Sequence, residues 1–233
     1  MALSIKWVGS IHKTKGRNGF RPEAVVIHIM EGSLAGTDSW FNKPQSKVSA
    51  HYGIGKNGEI HQYVAEGDTA YHAGRKSNPT WSLIRDGVNP NSYTIGIEHE
   101  GFSDTPWTEA MYEASASLVS DICNRWAIPI DRDHIIGHRE IYGVKTCPGN
   151  VVNLDKLVKM ARGEAVSAET YNLIKKAGKV KTRTDLNLRK GAPTTMAGVV
   201  KKIPAGTEVA YVGWTSNGQN VNGNAHWYKD SND

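Results

Sequence analysis

The sequence predicts an α/β domain with a mixed central sheet flanked by helices, followed by a small all-β barrel. Three observations carry this. The continuous apolar run from Ala24 to Met30 reads as a strand buried on both faces. Apolar residues from Trp107 to Trp126 recur every three or four positions, the spacing of a long helix packed along one face. Beyond residue 178, short alternating segments are split by Gly, Pro and Asn, the signature of a small barrel. With 39% hydrophobic residues in 233, there is material for a real core, in one medium domain and one small one. The expected divisions are 1–163, a linker over 164–178, and 179–233.

Taken in order, the first strand contains His28 near its C-terminal end, followed by Glu31, Gly32 and Ser33. That is where an open sheet presents ligands into a crevice. The stretch VSAHYGIGKNGEIHQYV reads as two strands joined at Asn57-Gly58, a tight turn with positive φ at both central residues. Residues 66–92 are rich in Gly, Asn, Ser and Pro and read as a long loop, a length that is usually functional. YTIGIEHEG is another strand, with Ile95, Ile97 and His99 on one face and Gly96, Glu98 and Glu100 on the other. A carboxylate at Glu98, mid-strand, is costly to bury unless paired or used. Thr105 and Pro106 read as the N-cap and first residue of the helix that Met111, Ala114, Leu118 and Ile122 carry to Trp126. Cys123 adjoins that face and is read as packing. HIIGH gives a short strand or turn, and VNLDKLVKMARG a closing helix. The linker is expected to hold a short helix through Tyr171 and Ile174. The barrel strands are read from LNLRKGAP, VVKKIPAGTEVAYVGW and HWYKD.

Net charge is +5, but residues 1–174 hold 18 basic and 19 acidic groups while residues 175–233 hold 10 and 4. The tail therefore supplies all of the excess. Nucleic acid is a weak expectation for it, because no recognised binding motif accompanies the charge. Two cysteines, Cys123 and Cys147, exclude a disulfide framework. The N-terminus has no apolar segment of signal-peptide length, and no stretch approaches the roughly 20 apolar residues of a membrane span. The chain is expected to be made in the cytoplasm without its own export signal.

The segment with most chemistry is IGHREIYGVKTCPG, Ile136 to Gly149. His138 and Cys147 are both good zinc ligands, separated by a stretch that suits a loop folding back on itself. His28 completes a three-ligand set, leaving one position open for a water of lowered pKa. Glu98 then fits the general base and Lys145, two residues before Cys147, the cation that stabilises an oxyanion. The protease motif HExxH is absent, since His99-Glu100 is followed by Gly101, Phe102 and Ser103.

Five segments in this order, VVIHIMEGS, VSAHYGIGKNGEI, YHAG, TIGIEHEG and GHREIYGVKTCPG, resemble the zinc-dependent N-acetylmuramoyl-L-alanine amidases, a family shared with phage lysozyme-type amidases and peptidoglycan recognition proteins. The resemblance covers about residues 20–162. By position it implies His28, His138 and Cys147 as ligands of one zinc ion, Glu98 as base and Lys145 as the lysine beside the last ligand. His72, in AYHAG, is similar to the family's substrate-cleft motif, and His51 follows Ala50 in the hairpin; each is expected either as a substrate contact or as a structural hydrogen bond. Ala50 stands where the recognition-protein branch has tyrosine, so tyrosine-assisted catalysis is not expected. TDLNLRKGAP, VKKIPAGTEVAYVGW and HWYKD resemble bacterial Src-homology-3-like domains that attach lytic enzymes to the cell wall; such domains continue with another strand past the last aromatic pair, so the expectation is either an incomplete barrel or a sequence cut at that point. The implied function is peptidoglycan hydrolysis between N-acetylmuramic acid and L-alanine by a phage or prophage endolysin leaving through a separate membrane lesion. The implied partners are peptidoglycan and anionic wall polymers. The rivals are a non-catalytic peptidoglycan binder, against which Cys147 stands, and a cytoplasmic muropeptide-recycling amidase, against which the tail stands.

Overall fold

A computed structural model describes residues 3–164, 174–189, 199–216 and 226–230. The chain divides into two units, Met1–Ala165 and Val166–Asp233. In the first, strands β1 (Ile5–Trp7), β2 (Lys13–Thr14) and β3 (Ala24–Ile29) precede helix α1 (Leu34–Trp40). Strands β4 (Tyr52–Ile54), β5 (Ile60–Gln62), β6 (Thr69–Ala70) and β7 (Thr94–His99) lead to helix α2 (Glu109–Trp126), strand β8 (Ile135–Gly137) and helix α3 (Leu154–Ala161). Six strands form one mixed sheet in the order β1-β5-β4-β7-β3-β8, and β2 pairs with β6 outside it.

The two faces of β3 explain both the core and the site. Val25 and Ile27 join Ile95, Ile97 and Ile135 in a cluster with Met111, Leu118, Val119 and Ile122 of α2 and Leu157 and Val158 of α3. Fully burying each such aliphatic side chain contributes about 1.5–3 kcal/mol, so this face anchors the domain. Ala24 and Val26 point the other way and pack with Ile136, Ala73, Trp81, Tyr93 and Ile141. On that face the cover comes largely from the 66–92 loop, not from a helix as expected. His28, next in the alternation, shares that face.

Two local expectations are corrected. The N-cap of α2 is Thr108, not Thr105: its hydroxyl accepts from Met111 N at 3.0 Å, whereas Thr105 N closes a turn on Phe102 O. Of Asn57 and Gly58 only Gly58 has positive φ, +84°. Gly58 N donates to Gly55 O and Gly55 N to Glu59 O, so the connection is a longer turn closed by a left-handed glycine. Strands β1 and β2, three and two residues long, and helix α1 were not anticipated. Helix α1 is capped by Ser33, which accepts from Gly36 N.

The second unit contains β9 (Gly178–Lys181), β10 (Leu186–Arg189), β11 (Val199–Ile203), β12 (Glu208–Tyr211), β13 (Gly213–Thr215) and β14 (Trp227–Lys229). They pair antiparallel as β10-β11, β9-β12 and β13-β14. Among the described residues these are three separate ladders, so barrel closure is not shown. The expected helix at Tyr171 lies outside the described residues, and Ile174 forms an isolated bridge with Trp214. Among the described residues, no helix is long and apolar enough to cross a membrane.

Candidate metal centre

Three neighbouring parallel strands, β7, β3 and β8, deliver the site. Their register sets His28 opposite Glu98, and β8 ends at Gly137, immediately before His138. His138 opens a short 3₁₀ turn held by Glu140, whose carboxylate accepts from Gly137 N at 2.7 Å and pairs with Arg132 at 2.9 Å. The following loop then folds back: Arg139 N donates to Cys147 O at 2.9 Å and the Arg139 guanidinium to Gly149 O at 2.8 Å. Gly149, at φ +111°, lies so close to the backbone of Ser103 that a Cβ would sit 2.1 Å from its carbonyl oxygen. That approach pins the loop where Cys147 reaches β3.

Ligand atoms of His28, His138 and Cys147 all lie within 4.8 Å of one another. Cys147 Sγ is 3.8 Å from His28 Nδ1 and accepts from the backbone N–H of Ile29 at 3.3 Å. Two imidazoles and one thiolate are a zinc donor set, and tetrahedral bonds of normal length set ligand atoms about 3.5 Å apart. The three residues therefore fit zinc with only a small contraction.

Burial holds His28, His138, Cys147 and Glu98 in their uncharged forms. Burial, reinforced by His138, His72 and His99, keeps His28 well below the ordinary histidine range. Burial and then the Lys145 ammonium lower His138 to about 4. Burial and then Glu98 push the Cys147 thiol up. Burial, with Glu31 adding to it, raises Glu98 to about 8. Its Oε1 lies 4.0 Å from His28 Nδ1, and its Oε2 is buried without a hydrogen-bond partner. A buried carboxyl with an orphaned oxygen beside two imidazoles and a thiol is an arrangement that a divalent ion would reverse, favouring thiolate and carboxylate together.

Lys145 is exposed on the same loop, and its charge reaches both His138 and Cys147. His72 is drawn in as well, with Nδ1 3.1 Å from His28 Nε2. His51 is not. It has no exposed surface; Gly96 N donates to its Nδ1, and its Nε2 lies 2.8 Å from Arg17 Nη2 and 3.2 Å from Asp68 O. A ring so enclosed has no face to offer a substrate, so of the two roles expected for His51 the structure matches the structural hydrogen bond and not the groove contact. Of the remaining histidines, His61 lies between Asp38 and Glu59, and His134 against Asp131. Cys123 is buried in the main core, as packing requires. Sequence reasoning missed Thr94 and Asn91, which support His72; nothing local distinguishes them, because each acts over about 20 residues.

The family model described as N-acetylmuramoyl-L-alanine amidase matches residues 18–150. N-acetylmuramoyl-L-alanine amidase A of Achromobacter lyticus is 46% identical over 105 residues, 44% of this chain and 51% of that protein. The 1,6-anhydro-N-acetylmuramyl-L-alanine amidase AmpD of Haemophilus influenzae is 38% identical over 97 residues, 42% and 49% of the two chains. The chain thus spans about half the length of the curated relatives it matches. A crystal structure of an AmpD derivative superposes with a TM-score of 0.56 at 27% identity, covering 67% of this chain and 94% of that one. The catalytic domain of XlyA, at 18% identity and TM-score 0.52, shares the fold.

Proposed function

The chain belongs to the N-acetylmuramoyl-L-alanine amidase family, and on that footing we propose that it is a zinc-dependent peptidoglycan hydrolase cutting the amide between the lactyl group of N-acetylmuramic acid and L-alanine. The observation that carries the reading is the convergence of His28, His138 and Cys147 beside a buried, unpartnered Glu98 oxygen. Zinc in such a site supplies Lewis acidity and acidifies water. Glu98 takes the proton of the attacking water and returns it to the leaving nitrogen, so that the C–N bond breaks with a carboxylic acid and an amine as products. Lys145 supplies positive charge where the carbonyl oxygen becomes negative. Digestion of purified wall tests this: new N-terminal alanine should appear without new reducing sugar ends. New reducing ends, or new amino groups on residues other than alanine, would sink it.

The similarity to 1,6-anhydro amidases supports a second reading, in which soluble 1,6-anhydro muropeptides are preferred over intact wall. We favour the wall, as an endolysin, because the strand-rich, basic second unit follows the catalytic one. In this reading residues from about 178 onward are a Src-homology-3-like module that holds the enzyme on wall polymer, raising its local concentration without entering the chemistry. A chain ending at Glu164 is then expected to cut a soluble muropeptide as fast as the full chain and to clear intact wall more slowly at low enzyme concentration. If charge drives the anchoring, the difference shrinks as the screening length falls from about 30 to about 8 Å. Equal loss on soluble and insoluble substrates would contradict the division of labour.

A further inference from the structure

We propose that His72 is a positioning residue for the metal: by accepting the Nε2–H of His28 it fixes the tautomer that turns the His28 Nδ1 lone pair towards Cys147. The inference rests on the metal centre proposed above. His28 presents two edges. Its Nδ1 edge faces Cys147 Sγ at 3.8 Å and Glu98 Oε1 at 4.0 Å, while its Nε2 lies 3.1 Å from His72 Nδ1. A neutral imidazole carries one proton, so ligation through Nδ1 requires that proton on Nε2 and an acceptor for it.

The direction of the hydrogen bonds is imposed from the far end. Pro90 O can only accept, and the Thr94 hydroxyl donates to it at 2.8 Å. The lone pairs of Thr94 Oγ1 then face His72 Nε2 at 3.4 Å, which places the His72 proton on Nε2. His72 Nδ1 is left as an acceptor, and among the described residues the N–H of His28 Nε2, 3.1 Å away, is the donor placed to satisfy it. Each hydrogen in the series has one acceptor, and the last lone pair, on His28 Nδ1, points into the metal site.

The rest of the surroundings keep His72 in place. Its ring packs closely against Gly96 of β7, where an added Cβ would sit 2.5 Å from His72 Cγ. Asn91 Oδ1 accepts from the backbone N–H groups of His72 and Ala73 at 3.1 and 2.7 Å. His28 itself is anchored through its carbonyl, which lies 3.0 Å from His99 Nδ1, so ring rotation is the freedom that His72 removes.

Two measurements on the full chain test this. Long-range ¹H–¹⁵N spectra of the zinc-free protein should show both His28 and His72 protonated on Nε2. A His28 ring protonated on Nδ1 overturns the proposal. Competition with a chromophoric chelator should then show zinc held about 10- to 100-fold more weakly by His72→Phe, which keeps a ring and loses the acceptor, the range typical of outer-sphere partners. His72→Gln, whose carboxamide oxygen can accept, should recover most of that loss. Equal affinity of His72→Phe and wild type overturns the proposal, and if that variant does not fold the tautomer measurement decides alone. Neither readout involves substrate. A chain that shows the predicted tautomers and zinc affinities but leaves the lactyl–alanine amide intact would therefore sink the amidase reading and leave this one standing.

Discussion

Cys147→Ser is expected to leave the protein folded, without stoichiometric zinc and without measurable amide hydrolysis. Cys147 stands on a loop pinned by backbone contacts at Arg139, Gly149 and Ser103 that do not involve its sulfur, so serine should not disturb the scaffold. A serine hydroxyl is a poor zinc ligand, and losing a direct ligand should exceed the about 10- to 100-fold typical of outer-sphere changes. The wild type carries a pH signature of the same bond. Burial and the neighbouring Glu98 hold the Cys147 thiol protonated, while His138, lowered to about 4, is neutral over the working range. Binding therefore releases the Cys147 proton, and the Glu98 proton as well where the cation favours its carboxylate, so zinc affinity should rise about tenfold to a hundredfold per pH unit between roughly pH 5 and 7. A serine variant that binds one zinc per chain and cuts at the wild-type rate would remove Cys147 from the site.

Glu98→Gln should bind zinc and wall yet lose about 100- to 10,000-fold in turnover, the usual cost of removing a positioned base. Its stability should move the opposite way. The folded, metal-free protein keeps the Glu98 proton up to about pH 8, whereas the unfolded chain releases it near 4.5. More protons are then bound in the folded state across that window, so stability falls as pH rises through it, by on the order of a few kcal/mol. Glutamine cannot ionise. The metal-free variant should melt above the wild type at pH 8, with the difference vanishing below about pH 4.5. Unchanged turnover would pass the role of base to another group, and coincident melting curves at both pH values would mean that Glu98 is not held protonated by its surroundings.

How much of this was legible in the sequence follows the range of the interactions. Strands β3 and β7 and helix α2 were readable because their burial repeats every one, two or three to four residues, a local pattern. The cap of α2 was misplaced because Thr105 and Thr108 are both plausible caps, and the choice depends on whether Thr108 can also donate to Lys56 O, 52 residues away. Strands β1 and β2 are too short to show a period. His28, His138, Cys147 and Glu98 could be singled out as chemistry-bearing residues, but their meeting depends on the parallel register of three strands and on a loop fastened by Arg139 and Gly149. His51 shows the limit most plainly, since nothing in Ala50-His51-Tyr52 says that the ring is sealed between Arg17 and Gly96.

The zinc K-edge absorption spectrum of the full chain loaded with one equivalent of zinc tests the central claim most directly. The account predicts one sulfur neighbour at about 2.3 Å and two imidazole nitrogens at about 2.0–2.1 Å, with the sulfur shell lost in Cys147→Ser. A first shell of nitrogen and oxygen alone in the wild type would contradict it.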